Sequence, residues 1–326
     1  MSSFTNKLSY FIVVAGALLA TPLQGMQKKA DTSFKRISSL TLPSTLHALA
    51  LHPTGTSFFT ALGDATARQW DIRTKRELLA LEGHVYTVTS LDVSTDGKTL
   101  LTGSDDETAR LWDIQSGQEL HLFKGHTREV KSVALSPDSN LALTGSLDGT
   151  VRLWNTETGQ QVGIKKMKKE VPSVAFSPDG KKYAASNGDT ARVWETSSGK
   201  LLKEFTEDFS RILTVTFSAY GNFLFLGLMN GEIQRKRIDD LSSPPLTLQG
   251  HTHAISSISA NQDGKIILSG SWDKTARLWD SKTGDLLQTL KAPEPVEYIA
   301  LSQDGNSILL GSEEGIVYIW KKPIQK

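Results

Sequence analysis

The sequence predicts an all-β fold in which a unit of four short strands is repeated around an axis. A seven-residue phrase recurs along the chain, for example TARLWDI at Thr108–Ile114 and TARLWDS at Thr275–Ser281. Each copy lies among short strand-like segments that are separated by turn residues, and the array shows no helical periodicity. Evenly spaced short strands of this kind are typical of radial β architectures.

The repeat has a nearly constant length. Its tryptophan recurs six times, and a seventh, degenerate copy between Trp194 and Trp279 carries Lys236 in the tryptophan position. Successive copies are 42, 42, 40, 42, 43 and 41 residues apart, which is the period of a repeat array. The seven copies are centred on Trp70, Trp112, Trp154, Trp194, Lys236, Trp279 and Trp320.

Each unit divides into four strands joined by tight turns. In the third unit the predicted strands are Val130–Leu135, Leu141–Thr144, Thr150–Trp154 and a fourth near Gln161–Ile164. The joints contain Pro, Asp, Asn and Gly, as in Ser177-Pro178-Asp179-Gly180 of the fourth unit. Pro fixes φ and Gly accepts a positive φ, so these joints favour sharp reversals of the chain.

Three units also contain a Gly-His pair, about 28 residues before a Trp-Asp or Trp-Asn pair. The Gly-His pairs are Gly83-His84, Gly125-His126 and Gly250-His251. With these pairs in register, the chain from Phe34 to Lys326 resembles the WD40-repeat family. The resemblance implies a seven-bladed β-propeller made of four-stranded antiparallel blades.

The two ends of the repeat region complement each other. The last unit stops in its third strand at Trp320, and the strand-like segment Phe34–Leu42 precedes the first unit. By resemblance to the family, this N-terminal strand completes the seventh blade and closes the ring, which removes an unpaired sheet edge. We therefore expect one propeller at residues 34–326, a linker at 26–33 and an apolar N-terminal segment at 1–25.

The resemblance gives the His of each Gly-His pair a structural role. In the family this His is paired with an Asp, with a Ser or Thr of the second strand and with the Trp. The matching sets are His84, Asp106, Thr102 and Trp112; His126, Asp148, Thr144 and Trp154; and His251, Asp273, Ser269 and Trp279. Three copies at equivalent positions indicate architecture rather than three hydrolase triads. The blades without Gly-His are expected to depend more on apolar packing.

The N-terminal segment has the pattern of an export signal. Met1–Lys7 is polar with one positive charge, Leu8–Ala20 is apolar or small, and Thr21-Pro22 ends the apolar stretch. About 13 such residues are short for a membrane-spanning helix but fit a secretory signal peptide. We therefore predict export to the periplasm or the medium. A cytoplasmic protein and an N-terminally anchored protein are the alternatives.

Composition and charge exclude several classes of function. The 326 residues include no cysteine, and 36 basic residues face 35 acidic ones, a formal net charge of +1. Without cysteine there are no disulfides, iron–sulfur clusters, thiol catalysis or cysteine zinc sites. A net charge near zero provides no global attraction to nucleic acid or anionic membranes. We expect a monomeric propeller with no nucleic-acid partner and no stable membrane insertion after signal removal.

The sequence contains no motif of catalysis or cofactor binding, such as a phosphate-binding loop, a dinucleotide fingerprint, a zincin helix or a nucleophile elbow. Its one close His pair is His251 and His253, and His251 already has a structural role. We therefore predict no enzyme, no cofactor and no metal. Two basic runs, Lys165–Lys169 and Arg235–Arg237, are either solvated decoration or a patch that binds phosphate or acid.

The resemblance places partner binding on the narrow top face of the propeller, around the central channel. The candidate partner-binding residues are Trp272, Met229, Leu213, Arg211, Glu129, Lys131, Asp105, Leu147 and Glu313. We predict a non-enzymatic scaffold that binds a peptide or protein partner of unknown identity there. The alternative is a small-ligand receptor or enzyme at the channel mouth, whose polar groups would be Glu129, Lys131, Arg211 and Glu297.

Trp272 differs from the other tryptophans because it lies outside the repeated core position. Its neighbours, Ser271 and Asp273, predict a turn rather than a buried strand. An exposed Trp near a Met and an Arg has the composition of an interface hot spot. The other interpretation is that Trp272 packs on a loop of the neighbouring blade.

Overall fold

A computed structural model of the protein describes residues 33–239, 246–261 and 263–323. The predicted signal segment at 1–25 and all of the predicted linker except Ser33 lie outside the described residues. Within the described ranges, no helix has the length and apolar character that a membrane span requires.

The described residues form 28 strands in seven four-stranded sheets, which are the blades. The closing strand is β1 (Lys35–Thr41). Blade one contains β2 (Leu46–Leu51), β3 (Ser57–Leu62), β4 (Ala67–Asp71) and β5 (Glu77–Leu81). Blade two contains β6 (Val88–Val93), β7 (Thr99–Ser104), β8 (Ala109–Asp113) and β9 (Glu119–Phe123). Blade three contains β10 (Val130–Leu135), β11 (Leu141–Ser146), β12 (Thr150–Asn155) and β13 (Gln161–Lys166).

The remaining blades follow the same order. Blade four contains β14 (Ser173–Phe176), β15 (Lys182–Ser186), β16 (Thr190–Glu195) and β17 (Leu201–Thr206). Blade five contains β18 (Ile212–Phe217), β19 (Phe223–Leu228), β20 (Ile233–Arg237) and β21 (Leu246–Leu248). Blade six contains β22 (Ile255–Ala260), β23 (Ile266–Ser271), β24 (Thr275–Asp280) and β25 (Leu286–Lys291). Blade seven contains β26 (Tyr298–Leu301), β27 (Ser307–Ser312), β28 (Ile316–Lys321) and, as its outer strand, β1.

The prediction of a seven-bladed propeller closed by the N-terminal strand is confirmed. Strand β1 pairs antiparallel with β28, and Arg36 lies opposite Trp320 in that register. The predicted fourth strand of blade three is two residues longer than expected, since β13 ends at Lys166. Every blade is antiparallel, so its first and third turns lie on one face of the propeller. The second turn and the loop from the preceding blade lie on the other face, which we call the top face.

The core lies between successive blades. Blades two and three, for example, enclose one apolar cluster that includes Leu101, Phe123, Val130 and Trp154. Trp154 is only 3% exposed, and burial of such a side chain stabilises the fold by about 2–3 kcal/mol. Each repeat therefore buries its apolar face only against a neighbour, which explains why the array must close.

Around the channel, hydroxyl groups connect the inner strands of neighbouring blades. Ser90 accepts a hydrogen bond from the Val133 amide at 3.0 Å, and Ser132 accepts one from Val174 at 3.0 Å. In blade two, Asp92 takes a similar role, since its carboxylate accepts the Leu135 amide at 2.8 Å. Inner-strand amides without a hydrogen-bond partner in their own sheet thus donate to side chains of the neighbouring blade.

Candidate interaction surface

The three Gly-His blades contain the same buried polar set. In blade three, His126 Nδ1 donates to Asp148 Oδ2 at 2.8 Å, and the Thr144 hydroxyl contacts Nε2 at 2.7 Å. Trp154 Nε1 donates to the same hydroxyl oxygen at 3.0 Å. The equivalent sets in blades two and six have the same partners at 2.8 Å. The structure therefore places all the predicted structural residues of these blades together, in the wall of each blade.

The protonation states in these sets suit a structural network. Burial lowers the pKa of His126 and His251 below the ordinary 6.5 and outweighs the attraction of the neighbouring carboxylates. Burial also opposes ionisation of Asp148, but hydrogen bonds from Thr150 and His126 prevail and leave its pKa below the ordinary 3.8. A neutral imidazole that donates at one nitrogen and accepts at the other satisfies every partner.

The blades without Gly-His are held in different ways. In blade one, Trp70 Nε1 still donates to Thr60 Oγ1 at 2.9 Å. In blade four, the rings of Trp194 and Tyr183 stack with centroids 5.2 Å apart. In blade seven, Trp320 Nε1 is buried without a hydrogen-bond partner among the described residues. The expectation of more apolar packing fits blade four, whereas blade one keeps half of the polar set.

Blade five contradicts that expectation. Lys236, in the tryptophan position, forms an ion pair with Glu207 at 2.8 Å, and both side chains are mostly buried. Gln234 Nε2 donates to the other oxygen of Glu207 at 3.0 Å. An ion pair and an amide thus replace the aromatic ring. Glu207 was not among the residues predicted from the sequence, although it occupies the position of the Gly in Gly-His.

Backbone hydrogen bonds join the predicted top-face residues in pairs. The residue before each structural Asp donates its amide to the start of the first strand of its own blade. Met229 donates to the Arg211 carbonyl at 2.9 Å, and Leu147 donates to that of Glu129 at 3.0 Å. The same bond brings Asp105 to Thr87 in blade two and Trp272 to Ala254 in blade six.

Trp272 lies in the turn between β23 and β24 and is 43% exposed. Its Nε1 donates to Glu297 Oε2 of blade seven at 2.6 Å. Burial raises the pKa of Glu297, with the nearby Glu313 adding to that effect and the Trp272 hydrogen bond opposing it. Both interpretations of Trp272 thus have a basis in the geometry, because the ring is fixed to the next blade and still presents an open face.

Met229 and Arg211 lie in a different part of the top face from Trp272. Together with Phe209 they line a cavity of about 450 Å³ at the junction of blades four and five, which Trp272 and Leu213 do not line. Met229 is 48% exposed. The apolar residues of the predicted binding surface are therefore divided between two places on this face.

Sequence reasoning missed the most exposed apolar residues of the top face. Phe209, in the loop before β18, is 99% exposed, and Val85 and Tyr86, in the loop before β6, are 71% and 64% exposed. A signal was available, because these apolar residues lie next to the Gly-His position in loops whose other members are small or polar. Only the exposed surface, however, distinguishes them from loop residues that fold back onto the core.

Three of the four polar groups proposed for a small ligand already have polar partners. Lys131 is paired with Asp105 at 2.6 Å, and Glu297 is bound to Trp272. Glu129 has Arg128 as its ion-pair partner at 3.7 Å. Among the described residues, no group of three or more His, Cys, Asp or Glu side chains could hold a metal ion.

Comparison with known proteins identifies partial relatives. The chain is 31% identical over 137 residues to WD repeat-containing protein 18 of Danio rerio, covering 39% of this chain and 32% of that protein. It is 30% identical over 159 residues to COMPASS component SWD3 of Saccharomyces cerevisiae, covering 45% and 50%. It is 31% identical over 129 residues to U3 small nucleolar RNA-associated protein 12 of the same yeast, covering 39% and 13%. The matched regions thus span half or less of these relatives.

These relatives overturn the prediction of export. A COMPASS component and a U3 small nucleolar RNA-associated protein are intracellular proteins, so the similarity points to the nucleus or the cytoplasm. The prediction of a periplasmic or secreted protein is therefore wrong. It was based on one apolar stretch of about 13 residues, a length and hydropathy that a signal peptide requires but that other segments also have.

Two family models match the chain. The model described as "IFT122 first beta-propeller" matches residues 110–326, about two thirds of the chain. The model described as "WD domain, G-beta repeat" matches residues 75–113. Together with the seven blades and their repeated tryptophan position, these matches show that the chain belongs to the WD40-repeat β-propeller family.

Proposed function

We propose that this protein is a non-enzymatic scaffold that docks a segment of a partner protein on its top face. The observation that carries the proposal is the set of large apolar side chains that this face exposes: Phe209, Met229, Trp272, Val85 and Tyr86. Exposed aromatic and Met side chains on a rigid rim are the usual anchors of a protein interface. The relatives support a protein partner, since one is named as a component of COMPASS.

Within this surface, Trp272 is the anchor that we expect to contribute most. Its indole is held by Glu297, so little side-chain entropy is lost when a partner covers it. Phe209 has no comparable polar group to fix its ring, and its ordering opposes binding more strongly. A rigid anchor therefore yields more affinity per exposed area than a free one.

The test is retention of protein partners from an extract of the source cells by the immobilised chain. We expect Trp272→Ala to lower the amount of specifically retained protein at least about tenfold, the loss of one hot spot, with little change in the melting temperature. Leu287→Ala is the matched control, because Leu287 is 54% exposed on the outer strand β25 of the same blade. Retention that survives Trp272→Ala, Met229→Ala and Phe209→Ala combined contradicts the proposal.

A further inference from the structure

The turn between the first and second strands follows one rule in five of the seven blades. Its first residue, Ser or Asn, donates a side-chain hydrogen bond to an Asp two positions later, as Ser136 does to Asp138 at 2.6 Å. The other pairs are Ser94 and Asp96, Ser177 and Asp179, Asn261 and Asp263, and Ser302 and Asp304. The two exceptions are blade one, with Thr54, and blade five, with Tyr220.

Tyr220 exposes an aromatic ring where the other turns have a closing carboxylate. Its side chain is 79% exposed, on the face opposite to Trp272. The ring lies beside Gly264 in the equivalent turn of blade six, since a Cβ at Gly264 would be 3.3 Å from Tyr220 Cε2. An Asp in place of Tyr220 would close its own turn, whereas the Tyr leaves an exposed ring at the junction of two blades.

A cavity of about 530 Å³ opens beside this ring, between blades five and six. Tyr220, Phe223 and the fully buried Phe225 form its aromatic wall. This volume is in the range of natural ligand pockets. The cavity is separate from the top-face surface described above.

Arg235 gives this cavity a cationic wall. It occupies the position before the tryptophan slot, where the other blades have Gln69, Leu111, Leu153, Val193, Leu278 and Ile319. Its guanidinium lies over the Phe223 ring, 4.6 Å from the centroid, and donates to the Ser281 and Lys282 carbonyls at 2.6 and 3.0 Å. The charge is thus fixed across the junction rather than free in solvent.

The charges at the mouth of the cavity leave a positive surplus. Asp263 accepts hydrogen bonds from Asn261 and from the Lys265 amide, and Asp280 accepts the amides of Lys282 and Thr283. Asp263 also forms an ion pair with the Lys265 ammonium at 3.1 Å, and in the lining as a whole three cations face two carboxylates. Within the described part of the chain, the exposed ammonium of Lys282 has no ion-pair partner.

We propose that this cavity binds the bulky apolar side chain of an acidic peptide segment. The apolar side chain would lie against Tyr220 and Phe223, and a flanking carboxylate would face Lys282, which has no ion-pair partner among the described residues. Aromatic walls provide the apolar contact, and the cations select an acidic sequence over a basic one. The site lies on the face opposite to the proposed top-face scaffold surface and does not depend on it.

The probe is a synthetic peptide, acetyl-Asp-Glu-Phe-Asp-Glu-amide, titrated into the full chain labelled with ¹⁵N. We expect saturable shifts of the backbone amides of Gly221, Gly264 and Ser281. A peptide with Ala in place of Phe, and one with Lys in place of each acid, should bind at least about tenfold more weakly, as expected when one anchor or the charge match is lost.

Two matched pairs of variants locate the site. Tyr220→Asp restores the turn found in five other blades and should weaken the peptide about tenfold, whereas Thr54→Asp makes the same change in the other exceptional turn and should not. Lys282→Glu should weaken binding, whereas Arg73→Glu reverses an exposed charge at the equivalent position of blade one and should not. Thermal melts of all four variants show whether each remains folded.

Three results would overturn the proposal. The first is the absence of saturable shifts with the folded wild-type chain. The second is equal peptide binding by Tyr220→Asp and Thr54→Asp. The third is a stronger shift of the same amides by a single-stranded oligothymidylate, which would assign the cavity to nucleic acid. Trp272→Ala should leave the titration unchanged, so failure here is distinguishable from failure of the top-face proposal.

Discussion

Blades three and five form the same four-stranded sheet with different chemistry at the same three positions. Blade three has Gly125, Arg152 and Trp154 where blade five has Glu207, Gln234 and Lys236. In blade three, a Cβ at Gly125 would be 2.5 Å from Arg152 Nη1 and 3.4 Å from the Trp154 ring. In blade five, the side chain at that position reaches Lys236 and Gln234.

The comparison teaches that these three positions have changed together in blade five. The smaller Gln and the flexible Lys leave space for Glu207, where the Arg and the Trp crowd the Gly position of blade three. Once present, Glu207 neutralises the Lys that the blade would otherwise bury without a partner. Loss of the tryptophan in blade five is therefore compensated, and the blade is not simply a weakened copy.

The two kinds of blade should differ most in what their central residue contributes to stability. Trp154→Ala removes a ring that is 3% exposed and should lower the free energy of unfolding by about 3–5 kcal/mol. The combined change Lys236→Met and Glu207→Gln replaces the ion pair without leaving a buried charge and should cost about 1–2 kcal/mol at most, because the attraction of the pair is largely offset by desolvation. Urea unfolding of both variants measures the difference. Equal losses of unfolding free energy would show that the ion pair contributes as much to stability as the Trp154 ring.

The side chain at the His position of the Gly-His pair should contribute to stability in blade three, whereas the residue at the equivalent position of blade five should not. His126→Ala removes one buried hydrogen bond from Asp148 and one from Thr144 and should cost about 1–3 kcal/mol. Asp208, which occupies the His position of blade five, is exposed, and Asp208→Ala should change stability by less than about 0.5 kcal/mol. Thermal melts of the two variants test this contrast. A large loss for Asp208→Ala would mean that the loop of blade five has its own structural network.

The ion pair of blade five should appear as a coupling between two residues. In a double-mutant cycle, Glu207→Ala and Lys236→Ala should show a coupling energy of about 1 kcal/mol, since the pair is partly buried. High salt should reduce the coupling only slightly. A parallel cycle on the exposed pair of Lys98 and Asp96, 3.6 Å apart, is the control and should give a value near zero. Equal coupling in the two cycles would contradict the compensation described for blade five.

Much of the fold could be predicted from the sequence because each repeat contains, at constant spacing, the residues that define its strands and turns. The period fixed the number of blades, and the strand-like segment before Leu42 indicated closure, since β28 would otherwise have an open edge. Each Gly-His blade contains its own His, Asp and hydroxyl at constant spacing. Local patterns suffice where every partner belongs to the same repeat.

The candidate surfaces were less predictable because their geometry depends on neighbouring blades. The hydrogen bond from Trp272 to Glu297 joins two blades, and the cavity beside Tyr220 depends on Gly264 of the next blade. No spacing rule within one repeat connects such residues. Deviations from the repeat were nevertheless informative, since Tyr220 and Lys236 both mark places where the sequence departs from its own pattern.

The smallest expected effect is a pH dependence that belongs to the Gly-His blades and is absent from blade five. Burial lowers the pKa of His126 and His251 below the unfolded value of 6.5, so the unfolded chain binds more protons near that pH. Their contribution to stability is therefore fully present above pH 6.5 and falls as the pH drops through it. His126→Gln combined with His251→Gln should flatten the stability profile below about pH 6.5.

Asp92 acts in the opposite sense, which separates the two effects. Burial raises its pKa from 3.8 to about 6, so the folded chain binds the extra proton and stability falls as the pH rises from about 4 to 6. Asp92→Asn should remove that fall, so stability should rise more steeply with pH, whereas the double His variant should show a shallower rise below about pH 6.5. If the double His variant keeps the wild-type slope below pH 6.5, the buried imidazoles do not control the pH response. The Gly-His blades and blade five then differ only in packing.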